Sequence, residues 1–318
     1  MLRKAVRTLL RGGIVAFPTE TVYGLGARVF DAQALDRIFE AKGRPGDNPL
    51  IVHIADYTQL ERVAARVPQK ARLLMKKFWP GPLTLVLRKT REVPARATAG
   101  LPTVGVRMPS HPVARRLIRA LGEPIAAPSA NISGRPSSTT FQDARRELKG
   151  KADMILKGGA SRIGLESTVL DCTRRPFQIL RPGFVTLEDL KKWVSVQAPS
   201  FRRLQAGPAA SPGLKHKHYR PRYPVIAMPA EYLNAEAGSL MKRGFRIGVL
   251  LFRARVLPNS MMIYRKDFKG NMKKYARELY ASFLQAERAG VDALVVESVA
   301  KSGLGTAVMD RIERAGGK

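Results

Sequence analysis

Four polar stretches of this chain hold side chains able to handle a small charged ligand. KGRPGDNPL at 42–50 sets Lys42 and Arg44 at alternate positions of an extended or turn segment, so both cations can point the same way. Asn48 follows just beyond, and Pro45 and Pro49 stiffen the loop. Two converging cations suit a triphosphate. No GxxxxGKS or GxxxxGKT occurs, so a bound ATP would not sit in a P-loop. APSANISGRPSST at 127–139 concentrates the neutral donors Ser129, Asn131, Ser133, Ser137 and Ser138, which suit phosphate oxygens or a ribose and would equally make a surface turn. FPTETVYGLG at 17–26 offers hydroxyls, a tyrosine and two glycines. It fits a loop whose backbone approaches a small polar ligand, or a hydroxyl-rich turn capping the next helix. GLEST at 164–168 is the fourth stretch, and it and the cationic loop are each expected at the end of a strand.

The elements that must position these stretches are short apolar runs bounded by Gly and Pro, alternating with helical patterns. Strands are expected at 13–17, 49–54, 82–88, 103–108 and 124–129, with helices over 31–41, 68–78 and 111–121. Further strands fit 153–157, 167–172 and 177–181, and a helix opens at Thr186 with Asp189 as its capping-box partner, ending near Trp193. The pattern predicts a mixed-sheet α/β domain over 1–194. Residues 195–224 change character, with five prolines, six Lys or Arg and no acid, and read as a linker. Its cluster SPGLKHKHY at 211–219 is too specific for a plain spacer. A second, smaller Rossmann-like α/β domain is expected over 225–318, with strands at 225–229, 246–251, 260–264 and 293–298. Its long helix carries Met272, Tyr275, Ala276, Leu279, Tyr280, Phe283 and Leu284 at three- and four-residue steps, one apolar stripe for a sheet. GLGTAV at 303–308 lacks the third glycine and the strand-first context of a dinucleotide fingerprint, and reads as a helix-packing turn.

Composition narrows the function classes. The 318 residues contain 45% hydrophobic side chains, enough to fill real cores. No apolar run is long enough to span a bilayer and the first residues lack a signal-peptide core, so the expected address is cytoplasmic, with no membrane partner. One cysteine, Cys172, excludes an internal disulfide and reads as a small buried hydrophobe. Four histidines with no CxxC or HExxH spacing argue against zinc. His216 and His218, one residue apart, are too few for a metal and would instead hold the linker against the first domain. The net charge of +31 predicts attraction to phosphates or nucleic acid, or a solubilising surface. Residues 224–318 hold 16 basic and 9 acidic side chains, so +24 of the charge lies before them.

PTETVYGLGA, KGRPGDNPLIVHI, FWPGPLTLVL, GVRMP, APSANISGRPS, ESTV, LRPG and SPGLKHKHY occur in that order. Together they resemble the threonylcarbamoyl-AMP synthase family in its long two-domain form, whose core is a YrdC-like twisted mixed sheet. The resemblance covers essentially the whole chain. It implies a nucleotidyltransferase that joins L-threonine, bicarbonate or CO2 and ATP into threonylcarbamoyl-AMP and pyrophosphate, for modification of a tRNA adenosine beside the anticodon. Magnesium would accompany the triphosphate; zinc, flavin and NAD are not implied.

Carried over residue by residue, Lys42, Arg44, Ser129 and Asn131 match the groups at the nucleotide phosphates and the reacting centre. Asn48, Thr103, Ser137 and Arg181 match further ATP contacts, and Tyr219 the linker tyrosine that closes over the nucleotide. Thr21, His53, Arg107 and Ser167 match the residues around threonine, Arg107 facing its carboxylate, with the backbone near Ala127 also lining that pocket. A lone histidine ending an apolar strand is more often structural; the resemblance assigns His53 to substrate. Contacts with tRNA and with the threonylcarbamoyl transferase complex are implied as partners. Asp310 stands where the family usually has asparagine, which bears on any regulatory role of the second domain. The competing readings are a double-stranded RNA- or tRNA-binding protein with a YrdC-like module and no chemistry, and a hydrogenase-maturation carbamoyl-transfer domain, whose zinc fingers one cysteine excludes.

Overall fold

The computed structural model describes residues 1–198, 218–254 and 262–317, which pack as two compact units. Most of the expected linker, including His216, lies outside the described residues, as do Ser260 and Met261 of the strand expected at 260–264.

Unit one is a mixed sheet. Its strands are β1 (Val15–Phe17), β2 (Gly24–Arg28), β3 (Ile51–His53), β4 (Ala64–Arg66), β5 (Leu83–Lys89) and β6 (Thr103–Arg107). The others are β7 (Ile125–Ala127), β8 (Met154–Ile155), β9 (Thr168–Asp171), β10 (Phe177–Arg181) and β11 (Val196–Gln197). They run in the order β11-β10-β9-β5-β6-β3-β7-β2-β1-β8, with β4 on β5. Alternation along the strands divides the apolar side chains between two faces. Val15, Phe17, Ile125 and Ala127 pack on α1 (Leu2–Leu10) and α6 (Pro112–Leu121) through Leu9, Leu117 and Ile118. Ala16, Ala126, Leu85 and Val106 belong to the larger core with α2 (Ala32–Lys42) and α4 (Gln69–Phe78). Register then sets His53 of β3 beside Arg107 of the parallel β6 and Ile125 of the antiparallel β7.

Three local expectations change. Lys42 is the last residue of α2, which Asp31 caps at one end and Gly43, in the left-handed region at φ 58°, at the other. Lys42 and Arg44 therefore leave from either side of a helix stop rather than from one continuous extended or turn segment. GLEST leads into β9 instead of following a strand. TVYGLG is half strand, and Gly26 serves packing rather than ligand approach, since a Cβ there would meet Ile125 at 2.5 Å and Phe17 at 2.7 Å. The helix at Thr186 forms as expected, with both halves of its capping box, as α8 (Leu187–Lys191).

Unit two is a parallel sheet in the order β12 (Val225–Met228), β15 (Ala293–Glu297), β13 (Ile247–Leu251), β14 (Met262–Asp267). Between these strands the chain forms α9 (Leu233–Lys242) and α10 (Met272–Ala289). Asn271 caps α10, and its stripe is buried from Tyr275 to Leu284, while Met272 is half-buried at the first turn. The GLG turn does follow a strand, β15, and opens α11 (Leu304–Ala315). Gly305 is required there by the Ala300 carbonyl, which a Cβ would approach to 2.1 Å.

Candidate active site

Backbone hydrogen bonds stitch three of the four polar stretches together. The Tyr23 amide donates to the Ser138 carbonyl (2.9 Å), the Ala130 amide to Tyr23 (2.8 Å) and the Ser133 amide to Lys42 (2.9 Å). The fourth joins through side chains, since the Ser137 hydroxyl donates to Glu166 at 2.5 Å.

Lys42 is the anchor of the cationic end. Its ammonium donates to the Ser129 carbonyl at 2.6 Å and to the Asn131 carbonyl, so two of its three protons hold the serine-rich loop and one remains for a ligand. Burial, and then the charge of Arg44, push its pKa well below the usual lysine value, with Glu147 opposing. Arg44 folds onto its own loop, donating to the carbonyls of Asn48 (3.1 Å) and Pro49 (2.9 Å). Asn48 is 1% exposed, and neither the oxygen nor the nitrogen of its side chain has a hydrogen-bond partner among the described residues. A buried amide of this kind is costly unless a ligand completes it.

Thr103 opens β6 and Arg107 closes it, so roughly 13 Å of strand separates them. Thr103 and Pro49 line the same small cavity, which puts Thr103 near the Arg44 loop rather than with Arg107. At the other end of β6, Arg107 donates to the Thr21 hydroxyl at 2.8 Å and to the Gly81 carbonyl at 3.2 Å, and forms an ion pair with Glu20 at 2.6 Å. His53 is buried, with Nδ1 3.0 Å from the Ile51 carbonyl. Burial, and then the Arg107 charge, lower its pKa to about 3, so the ring is neutral. Nδ1 must then carry the proton it donates to Ile51, which leaves Nε2 as an acceptor.

Ser167 forms a third group. Its hydroxyl lies 2.7 Å from that of Thr84, and Arg181 donates to its carbonyl (3.0 Å) and its hydroxyl (3.2 Å). The 81–82 turn links this group to Arg107, because the Thr168 amide donates to the Pro82 carbonyl at 3.0 Å. Ala127 closes β7 opposite Ile51.

Tyr219 belongs to the second unit, where its ring packs on Tyr280 with centroids 5.2 Å apart and planes tilted by 31°, and the Arg311 guanidinium lies 5.4 Å from its centroid. His218 is buried beside it, with ring centroids 5.5 Å apart. Glu20, Thr84 and Glu166 were missed from sequence. Glu20 does carry a local signal, an acid between two threonines in PTET.

The sheet and its buried polar end define an α/β domain of the YrdC-like class joined to a second α/β unit. The sequence family described as telomere recombination matches residues 7–183, and the one described as threonylcarbamoyl-AMP synthase, C-terminal domain, matches residues 185–317. The chain belongs to the Sua5–YciO–YrdC family, in the form that carries the Sua5 C-terminal domain. It is 43% identical to threonylcarbamoyl-AMP synthase of Pyrococcus abyssi, over 99% of this chain and 94% of that protein. It is 40% identical to the Bacillus subtilis protein of the same name, over 99% and 93%. The crystal structure of P. abyssi Sua5 complexed with L-threonine superposes with a TM-score of 0.93 at 42% identity, covering 99% of this chain and 94% of that one.

Proposed function

We propose that this chain is a threonylcarbamoyl-AMP synthase, a nucleotidyltransferase that consumes ATP, L-threonine and bicarbonate or CO2. The amine of threonine captures carbon dioxide as a carbamate, one carbamate oxygen attacks the α-phosphorus of ATP, and pyrophosphate leaves. Negative charge gathers on phosphate oxygens during that step, so catalysis rests on fixed cations and donors rather than on a covalent nucleophile. The observation that carries the reading is the buried Lys42 ammonium, clamped on the Ser129 and Asn131 carbonyls and keeping one proton for a ligand. Full-length similarity to proteins named for this activity supports it.

In this reading Lys42, Arg44, Ser129 and Asn131 attend the phosphates and the reacting centre. Asn48, Thr103, Ser137, Arg181 and Tyr219 hold the rest of the nucleotide. Thr21, His53, Arg107 and Ser167 hold threonine, with the backbone at Ala127. Among the described residues no cluster of three or more His, Cys, Asp or Glu could hold a metal. The cationic donor set fits a magnesium ion that arrives on the triphosphate and is held by phosphate oxygens. Among the described residues no helix is long and apolar enough to cross a membrane. Contacts with tRNA and with the threonylcarbamoyl transferase complex are the partners this reading implies, and the charge of +31 suits the first. Purified protein is expected to release pyrophosphate from ATP only when threonine and bicarbonate are both present, with threonylcarbamoyl-AMP found by mass; ATP turnover indifferent to threonine refutes the assignment.

A further inference from the structure

Glu20 is buried against Arg107. Its side chain is 3% exposed and that of Arg107 4%, and the two stand 2.6 Å apart. Burial raises the Glu20 pKa, but the charge and hydrogen bonding of Arg107 and the amides of Glu20 and Ser110 outweigh it, and the carboxyl is held below its usual value. It is therefore ionised at neutral pH. Apart from this ion contact and the amides of Glu20 and Ser110, neither oxygen has a well-directed side-chain partner among the described residues. A carboxylate kept only to neutralise an arginine is expected to use both oxygens in a fork-to-fork pair. Glu20 does not. Its loop is nonetheless firmly set, since the Thr19 hydroxyl donates to the Val22 carbonyl at 2.6 Å, accepts from the amides of Thr21 (3.2 Å) and Val22 (3.3 Å), and lies 2.8 Å from the Thr21 hydroxyl.

An α-amino acid carries an ammonium and a carboxylate on one carbon. The Glu20–Arg107 pair presents the inverse arrangement, an anion and a cation side by side, next to the neutral acceptor Nε2 of His53. We propose that Glu20 reads the α-amine of the amino-acid substrate while Arg107 takes the carboxylate, which makes Glu20 the residue that admits amino acids and turns away hydroxy acids. This rests on the threonine reading above. Carbon dioxide adds to the free amine, so the ammonium gives up one proton before the capture and the nitrogen a second after it, both to solvent, and Glu20 stays ionised throughout. The carbamate nitrogen keeps one N–H after carbon dioxide is captured, so a hydrogen bond to the carboxylate can persist through that step.

The test is calorimetric titration of the full chain, without ATP, with L-threonine and with (R)-3-hydroxybutanoate, the same skeleton lacking the amine. The native protein is expected to prefer threonine by roughly 100-fold or more, and Glu20→Gln to shrink that ratio by roughly tenfold or more, chiefly through weaker threonine binding. Equal affinity of the native protein for the two ligands overturns the proposal. So does a parallel loss of both affinities in Glu20→Gln, which would show Glu20 acting only through Arg107. If circular dichroism shows that Glu20→Gln does not fold, Glu20→Asp keeps the charge and withdraws it by one methylene: a reduced ratio supports the proposal and an unchanged one overturns it. Absence of threonine binding to the native protein counts instead against the function proposed above.

Discussion

The second unit buries Glu297 at the end of β15 and closes one of its oxygens with three amides, while the first buries Glu20 against Arg107 and two amides, its own and that of Ser110. Glu297 Oε2 accepts from the amides of Phe252 (2.5 Å), Arg253 (2.9 Å) and Ala254 (2.9 Å). Asp310 is treated alike, accepting from Arg311 at 2.6 Å and Arg314 at 3.0 Å. A carboxylate serves two guanidinium groups better than an amide does, which gives a local reason for aspartate here. In the first unit the side-chain amide of Asn48 has no partner among the described residues, and Lys42 and His53 are buried enough to shift far from their usual pKa values. Fully bonded buried charge is what a framework uses. Buried charge and polar atoms with bonding capacity to spare mark a place prepared for something else.

Breaking the contrast at its strongest point means removing the Lys42 ammonium. Lys42→Met keeps the aliphatic stem and is expected to lower kcat for threonine-dependent pyrophosphate release by about 10³-fold, the scale of losing one fixed donor to a developing charge. Far-ultraviolet circular dichroism is expected to stay native, and activity within a few-fold of the parent would remove Lys42 from the chemistry. The second unit is expected to respond in the opposite way. Glu297→Ala strands three amides, so it should destabilise that unit by about 3 kcal/mol in urea denaturation, while kcat at 25 °C stays near the parent value. Glu297→Gln retains an acceptor and should recover part of the loss. A Glu297→Ala protein that is as stable as its parent but inactive would reverse the assignment of the two regions.

The sequence showed the architecture well, because strand and helix periodicities were strong: the expected elements around 31–41, 111–121 and 177–181 appear almost residue for residue. Short or polar elements were not visible. The helix α1, rich in cations, carries its apolar residues on a narrow stripe, and β2 is weakened as a pattern by Gly24 and Gly26. At the site, the motifs named the side chains but not their connections. That Lys42 ends a helix depends on Gly43 adopting φ 58°, and that Ser129 and Asn131 act on Lys42 through their carbonyls is a backbone fact which no side-chain motif encodes. The Glu20–Arg107 pair joins residues 87 positions apart, and no local pattern of the sequence ties them together.

The smallest expected effect concerns His53 and sharpens the contrast through pH. Its folded pKa is about 3 against a reference of 6.5, so below pH 6.5 the unfolded chain takes up a proton that the folded protein refuses. Stability is therefore complete above pH 6.5 and falls as the pH is lowered toward 3. Integrated over one such group, the loss between pH 7 and pH 5 is about 2 kcal/mol. Glu20 has the same sign, but its window begins near its reference value of 4.5, so it contributes little over this range. His111 is also held below 6.5 by burial and lies in the same unit, but it is present in both proteins to be compared. Subtracting the pH dependence of a His53→Asn variant, whose amide can replace the bond to the Ile51 carbonyl, isolates His53. The variant is expected to lose about 2 kcal/mol less than the parent between pH 7 and pH 5. Equal losses would mean that His53 takes up its proton in the folded state, and the neutral acceptor at Nε2, together with its part in holding threonine, would have to be abandoned.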